Sequence, residues 1–376
     1  LAKLKGIIFI ILFAVVFWHF YGDSFKEDGL EATVHEVRED IVSFKESAFV
    51  TNTVNSIKQG YEFVTDLFTD KIDSTAPSNE VKIEKPNLNK PVEQTFSIYN
   101  IEIGDERKTV ESQLGKPQRA SKNEYGVEWM AYHKNYHNFM MIAYDKNDKV
   151  AGLYTNQPLL SSTEELSFDN TMEEVLNTLD QPVSGIKKGS INYLIEGKEE
   201  YDTFLIDNNY VTIFYDVHEN HTITAVQIIN KQLEMQKPAY FAEPSKELKK
   251  GLEYQLFDLT NAARVENDLK PLTWEESALS TVRDHSQDMA ENNYFGHTNL
   301  DQQSPFDRLQ EDGVAFRIAG ENLATGQSSS IYAHEGLMNS LGHRKNILKK
   351  EFELLTVGVA FNNENQPFYT ENFITK

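Results

Sequence analysis

Phe295-Gly296-His297, Gly320-Glu321-Asn322-Leu323-Ala324 and Gly342-His343-Arg344-Lys345-Asn346-Ile347-Leu348 follow one another near the C-terminal end of the sequence. Each sets a polar side chain directly after a glycine and close to apolar neighbours. A polar group carried inward must find a partner or cost free energy. The three stretches therefore predict that His297, Glu321 and His343 converge into one polar cluster, although 46 residues separate the first from the last. A glycine or aromatic before each lets its loop turn inward.

The surrounding pattern supplies helices and a small sheet. Leu252, Leu256, Leu259 and Ala263 recur at helical spacing. Thr273 with Glu276 reads as a capping box, after which Ala278, Val282, His285 and Met289 line one helix face. Ser304-Pro305 starts another helix, with proline where its missing N–H is harmless, and Gly313 ends it. A further helix is predicted from about Ser330 to Ser340. Residues 355–361 and 367–373 read as two strands of a hairpin joined by the Asn362-Asn363-Glu364-Asn365-Gln366 turn.

These motifs, with His285-Ser286-Gln287-Asp288-Met289 before them, resemble the CAP/SCP superfamily of cysteine-rich secretory, antigen 5 and pathogenesis-related proteins in its bacterial form. The resemblance covers roughly residues 250–376 and implies an α-β-α sandwich. It also implies a cleft lined by two histidines and two acidic residues. Three of these positions carry over onto His297, Glu321 and His343, while the fourth falls on Ser340. Glu335 is acidic on the same helix, but five residues turn it about 140° away from Ser340, so it is no replacement. Leu337 and Leu341 stand where bacterial relatives usually show an aromatic and a proline.

Two neutral imidazoles and one carboxylate are a ligand set for a divalent metal such as zinc. They are equally a general acid–base pair with an orienting carboxylate. A third reading is structural, with Glu321 and Asn322 tying loops to helix ends beside the cleft. His285 reads as a core histidine, His334 as core or cleft wall, and Ser304 as a cap rather than a nucleophile. Ser286 sits one residue round the helix from His285 and makes no one-face pair with it. Arg344 and Asn346 are expected to lock the loop after His343.

Upstream lies an internal repeat. Residues 103–117 (IGDERKTVESQLGKP) align without gaps on residues 168–182 (FDNTMEEVLNTLDQP), an offset of 65 residues. Val110 matches Val175, Leu114 matches Leu179 and Pro117 matches Pro182. Tyr144-Asp145 and Tyr215-Asp216 close apolar runs that read as strands. Each copy is thus a short helix followed by strands, and residues 96–236 are expected to be a duplicated α+β domain. It resembles the domain that accompanies CAP domains in Gram-positive bacteria, and it reads as a binding or spacer module.

The 376 residues carry 40% hydrophobic residues, enough for two cores, and a net charge of −22, which argues against nucleic acid as a partner. Without cysteine there is no disulfide, thiolate nucleophile or Cys-ligated zinc. Lys3 and Lys5 precede an apolar run over residues 6–21, and Asp23, Glu27 and Asp28 follow it. No small-residue cleavage pattern comes after the run, so residues 1–22 read as an uncleaved signal anchor with the N-terminus in the cytoplasm. Residues 23–95 are expected to be a helical stalk and a proline-bearing linker, and residues 237–376 the CAP domain. The chain is therefore expected to be a single-pass protein of the cell membrane, its folded domains extracytoplasmic, with secretion as the alternative. Its expected role is to bind an envelope ligand or protein in the cleft. A metal-assisted hydrolase, peptidase or wall-active, using His297, Glu321 and His343 is the alternative. In a third reading the duplicated unit recognises a protein, and the CAP domain only displays it.

Overall fold

The structure, a computed structural model, describes residues 86–376 apart from residue 198. The expected anchor, the helical stalk and the linker up to residue 85 lie outside the described residues. The first half runs β1 (Phe96–Ile98), α1 (Arg107–Leu114), β2 (Arg119–Lys122), β3 (Glu128–Lys134), β4 (His137–Tyr144), β5 (Val150–Thr155), β6 (Leu160–Ser162), α2 (Met172–Thr178), β7 (Gly185–Lys188), β8 (Ile191–Leu194), β9 (Tyr201–Ile206), β10 (Asn209–Asp216) and β11 (Thr222–Asn230). Seven of these strands form one sheet in the order β2-β3-β4-β5-β11-β10-β9. From β3 to β9 that order is a palindrome about the β5–β11 seam, where Thr155 pairs with Val226 and Gly152 with Ile229.

The halves on either side of the seam use the same local chemistry. Asn135-Tyr136 and Asp207-Asn208 each turn a two-residue hairpin with both residues at positive φ, the mirror-image turn that matches strand twist. Val110 and Val175 are buried in one shared core, with Leu114 and Leu179 packed against it. Both Val-x₃-Leu segments lie on helices, Leu114 as the last residue of α1 and Leu179 as the extended residue that closes α2, which opens on the Thr171–Glu174 capping box. The halves differ at the edges. β2 extends the sheet beside β3, whereas β7, its counterpart at the repeat offset, pairs instead with β8 in a separate ribbon.

The second half continues α3 (Lys231–Gln236), α4 (Lys246–Glu266), β12 (Thr273–Trp274), α5 (Leu279–Asn292), α6 (Pro305–Glu311), β13 (Ile318–Thr325), α7 (Ser330–Met338), α8 (Leu341–Ile347), β14 (Leu354–Phe361) and β15 (Pro367–Thr375). β14 and β15 form the expected hairpin inside a sheet of order β12-β14-β15-β13. Strand alternation gives each face its own helix layer. Leu355, Val357 and Val359 share a core with Leu252 and Leu256 of α4. Gly358 faces α5, so closely that a Cβ would lie 2.6 Å from the Arg283 backbone nitrogen. This is an α-β-α domain.

Three local expectations are corrected. Thr273 is no helix cap: its backbone N–H is taken by Glu353 in the parallel β12–β14 ladder, and Glu275 instead caps the short 3-10 turn that leads into α5. The helix from Ser330 ends at Met338, and the chain turns through Asn339 and Ser340 into α8. Arg344 and Asn346 therefore sit on a helix rather than in a loop.

The described residues belong to one compact unit. α4 lies against β2, where a Cβ on Gly251 would overlap the Lys122 carbonyl oxygen. Beside it, Gln255 donates to Lys122 O at 2.9 Å, and Arg119 meets the Asp258 carboxylate at 2.8 Å. Tyr136 donates to the same carboxylate at 3.0 Å. On α7, Glu335 turns away from the His297 cluster and accepts from Tyr154 at 2.7 Å and Thr224 at 3.3 Å. Arg344 of α8 pairs with Asp216 at 2.7 Å.

Candidate functional site

Glu321 sits in the middle of β13, paired across the ladder with Asn372. The segment Gly320-Glu321-Asn322 is thus strand, where a loop was expected. Gly320 is needed for approach rather than for a turn, because a Cβ there would press to 2.9 Å of the Phe352 ring and 3.1 Å of Asn346 Oδ1. The Glu321 side chain is only 2% exposed, and both its oxygens are engaged. Oε1 accepts from His297 Nδ1 at 2.9 Å, and Oε2 accepts from Arg308 Nη2 at 2.7 Å. Asn372 in one of its two amide orientations adds a donor 3.0 Å from Oε2.

Arg308 lies on α6, placed by the Ser304–Asp307 capping box one turn earlier. Besides Glu321 it donates to His297 O at 2.8 Å and Gln303 O at 3.1 Å, so it holds the His297 loop by its backbone. With Nδ1–H given to Glu321, a neutral His297 keeps its lone pair on Nε2. Its side chain is 40% exposed, the accessible end of the triad. His285 is buried on α5 and donates from Nε2 to Gly296 O at 3.0 Å. Burial drives its pKa down to about 4, so it is a neutral core histidine bracing the same loop. His334 is likewise buried, its pKa pushed down to about 3 by desolvation.

His343 is half-buried on α8, and desolvation, with the charge of neighbouring His297, lowers its pKa. Asn322 donates to His343 O and to Glu371 Oε2, each at 3.2 Å. Asn346 donates to Glu321 O at 3.2 Å and to Asn322 Oδ1 at 2.9 Å. Strand and helix are thereby stitched together beneath the two histidines. Glu371 is fully buried, accepts from Thr260 at 2.9 Å, and is pushed up to about 7 by desolvation. Ser340 is the residue before α8, one turn from His343, and its side chain makes no cap bond.

The donor set does not fit a divalent cation. Among the described residues no three His, Asp or Glu side chains gather as ligands. The one carboxylate of the cluster already faces a guanidinium and an imidazole, which a metal would have to displace. What the geometry offers is an oriented, accessible imidazole with a buried anion behind it. Two cavities, of about 280 and 840 Å³, lie elsewhere and are lined by none of His297, Glu321 and His343.

Arg308 and Glu371 had escaped the sequence reading. Arg308 could have been found as the residue one turn after Ser304 on a helix whose cap was legible. Glu371 could have been found as the one charged residue in the strand Pro367–Thr375.

Family models for "CAP-associated N-terminal" and "Cysteine-rich secretory protein family" match residues 103–240 and 257–373. The chain is 29% identical over 317 residues to "Uncharacterized membrane protein YlbC" of Bacillus subtilis, covering 80% of this chain and 88% of that one. It is 40% identical over 124 residues to "Uncharacterized protein YkwD" of the same organism, 33% of this chain and 47% of that one. A crystal structure of an extracellular SCP-domain protein from Bacillus anthracis superposes with a TM-score of 0.63 at 27% identity, over 79% of this chain and all of that one. A cysteine-rich secretory protein from Staphylococcus aureus shares the fold, with a TM-score of 0.60 at 14% identity, over 78% of this chain and 99% of that one.

Proposed function

We propose that this chain, which carries a CAP domain behind a CAP-associated N-terminal domain, is an exported, membrane-anchored envelope protein that binds a ligand or protein partner at the His297 face. The observation that carries this reading is the state of Glu321. Its charge is spent on Arg308 and on orienting His297, and the second acidic position is Ser340. A metal-assisted hydrolase would need a carboxylate free to hold the metal; this cluster spends its carboxylate on holding an imidazole still and presents that imidazole. Phe295, Phe306 and Leu341 are large, exposed apolar residues on the three segments that carry His297, Arg308 and His343. Such exposure around a polar centre suits a binding surface.

Anchoring through residues 6–21 rests on their Lys-flanked apolar pattern and on the membrane-protein name of the Bacillus subtilis relative. Among the described residues no helix is long and apolar enough to cross a membrane. The β-rich domain is read as a duplication, on the shared turns, helices and palindromic strand order. Its bounds are taken as residues 96–236, and those of the CAP domain as 237–376.

The binding reading is tested on intact cells with a benzophenone side chain at Leu341, which is 61% exposed. It should trap an envelope component that the same probe at exposed Lys108 does not. Equal labelling at the two positions overturns the reading. So does zinc-dependent peptide or wall hydrolysis that is lost in His297→Ala. Recovery of only a shortened chain from the medium would refute the uncleaved anchor while leaving export intact.

A further inference from the structure

A cavity of about 280 Å³ lies where the β-rich domain meets α7 and the segment that enters the CAP domain. Its floor is one row of the large sheet, Thr203, Thr212 and Gln227, paired side by side across β9, β10 and β11. Its sides and roof carry six tyrosines, among them Tyr125, Tyr201, Tyr240 and Tyr332. Tyr201 and Tyr332 meet edge-to-face with centroids 5.2 Å apart. Leu194 and Tyr240, 63% and 40% exposed, leave an apolar rim.

The charged groups say what the occupant is not. Lys188 gives its ammonium to Glu234 Oε1 at 2.6 Å, Glu234 O at 2.8 Å and Lys237 O at 2.7 Å. An ammonium has three protons, so none is left for an anion. Lys237 lies 3.7 Å from the same carboxylate and 5.1 Å from the centre of the Tyr125 ring. A bound cation would find its place over that ring already taken. The lining charges balance, Lys188 and Lys237 against Glu234 and Glu196. This lining suits a neutral occupant.

Gln227 says what it carries. It is 2% exposed, and its Nε2 is buried without a hydrogen-bond partner. An unpaired buried amide costs about 1–3 kcal/mol, and a turn of the Gln227 amide, which lines the cavity, would bring its N–H to an acceptor carried by a ligand. Thr203 and Thr212 share one hydrogen bond of 2.9 Å and keep further hydroxyl capacity toward the same space. The volume is about twice that of a cavity that holds benzene, roughly 150 Å³. That is room for one substituted ring.

We propose that this cavity binds a single neutral sugar ring of N-acetylhexosamine type. Its C–H face would lie on tyrosine, its acetamido oxygen would meet Gln227, and its hydroxyls would meet the threonine pair. The proposal is independent of the His297 face.

It is tested on the full chain by ligand-observed NMR and calorimetry. The probes are N-acetylglucosamine, cyclohexanol as an apolar ring, choline as a cation and inorganic phosphate as an anion. N-acetylglucosamine should bind saturably in the millimolar range, at least tenfold tighter than the other three, and equally in wild type and His297→Ala. Gln227→Met, close in volume and without the unpaired amide, should weaken the sugar at least tenfold while leaving the melting temperature unchanged or higher. Tyr240→Ala, at the exposed rim, should weaken it severalfold and serves if Gln227→Met does not fold. The proposal is overturned if the sugar does not saturate, if cyclohexanol binds as well, or if these variants bind like wild type.

Discussion

Replacing Gly251 by alanine sets two helix effects against each other. In the interior of a helix, alanine is better than glycine by about 1 kcal/mol, so a helix judged alone would gain. Here α4 lies on β2, and the new Cβ would overlap the Lys122 carbonyl oxygen and come within 2.8 Å of its carbonyl carbon and 2.9 Å of its nitrogen. These are backbone atoms in a sheet and cannot swing aside, so the helix must back away. Retreat stretches the Gln255–Lys122 bond and the Arg119–Asp258 pair, both within two turns of residue 251. A lost neutral hydrogen bond costs about 1 kcal/mol. A buried carboxylate deprived of its partner costs about 3–5 kcal/mol when the break is complete. Allowing for partial relaxation and the propensity gain, Gly251→Ala should destabilise by about 2–4 kcal/mol. Urea unfolding followed by tryptophan fluorescence reads this from both domains, through Trp129 and Trp274. Gly336 of α7 is the control, since a Cβ there meets only Gln327 Nε2, at 3.9 Å. Its alanine variant should gain about 0.4–1 kcal/mol. If Gly251→Ala unfolds at the same urea concentration as wild type or higher, the close seat of α4 on β2 is wrong.

Arg308→Met should cost about 3–5 kcal/mol in the same assay, because it strips the buried Glu321 of its guanidinium. Ser304→Ala, on the same helix, should cost about 1 kcal/mol as a lost cap; equal losses would mean that Arg308 matters only to α6. Zinc should not raise the melting temperature in a His297-dependent way, and a rise abolished by His297→Ala would restore the metal reading. Burial lifts the Glu335 carboxyl from 4.5 to about 7. A raised folded pKa gives a stability contribution that is complete below pH 4.5 and lost as pH rises through about 7. Glu335→Gln, always neutral, should therefore match wild type near pH 4 and exceed it at pH 8, on the order of 3 kcal/mol; the opposite order of midpoints would refute the raised carboxyl.

The parts of the fold that could be read from sequence were those whose signals are local. Ser304-Pro305 announces a capped helix, the Asn-rich turn after Phe361 announces a hairpin, and a repeated Val-x₃-Leu marks two matching helices. β13 was missed because Gly-Glu-Asn has the composition of a turn. What makes it a strand is distant: Arg308, Asn346 and the ladder with β15 satisfy its polar groups, and no local window contains them. Convergence of the cluster could be inferred from three glycine-led motifs. The engagement of Glu321 could not, since it depends on a guanidinium delivered by another helix. That Glu335 does not replace Ser340 was expected from an offset of about 140° on one helix, but that helix ends at Met338, before Ser340. What places Glu335 is its pairing with Tyr154 and Thr224 of the neighbouring domain, which no local window contains.

The joint between the two domains exchanges charge in both directions. Asp258 of the CAP domain is matched by Arg119 of the β-rich domain, and Asp216 of the β-rich domain by Arg344 of the CAP domain. Neither module is self-sufficient in counter-ions. A recombination event that joined this CAP domain to an unrelated partner would strand a carboxylate on one side and a guanidinium on the other. Substitutions at positions 119 and 258, and at 216 and 344, should therefore compensate each other as coupled pairs.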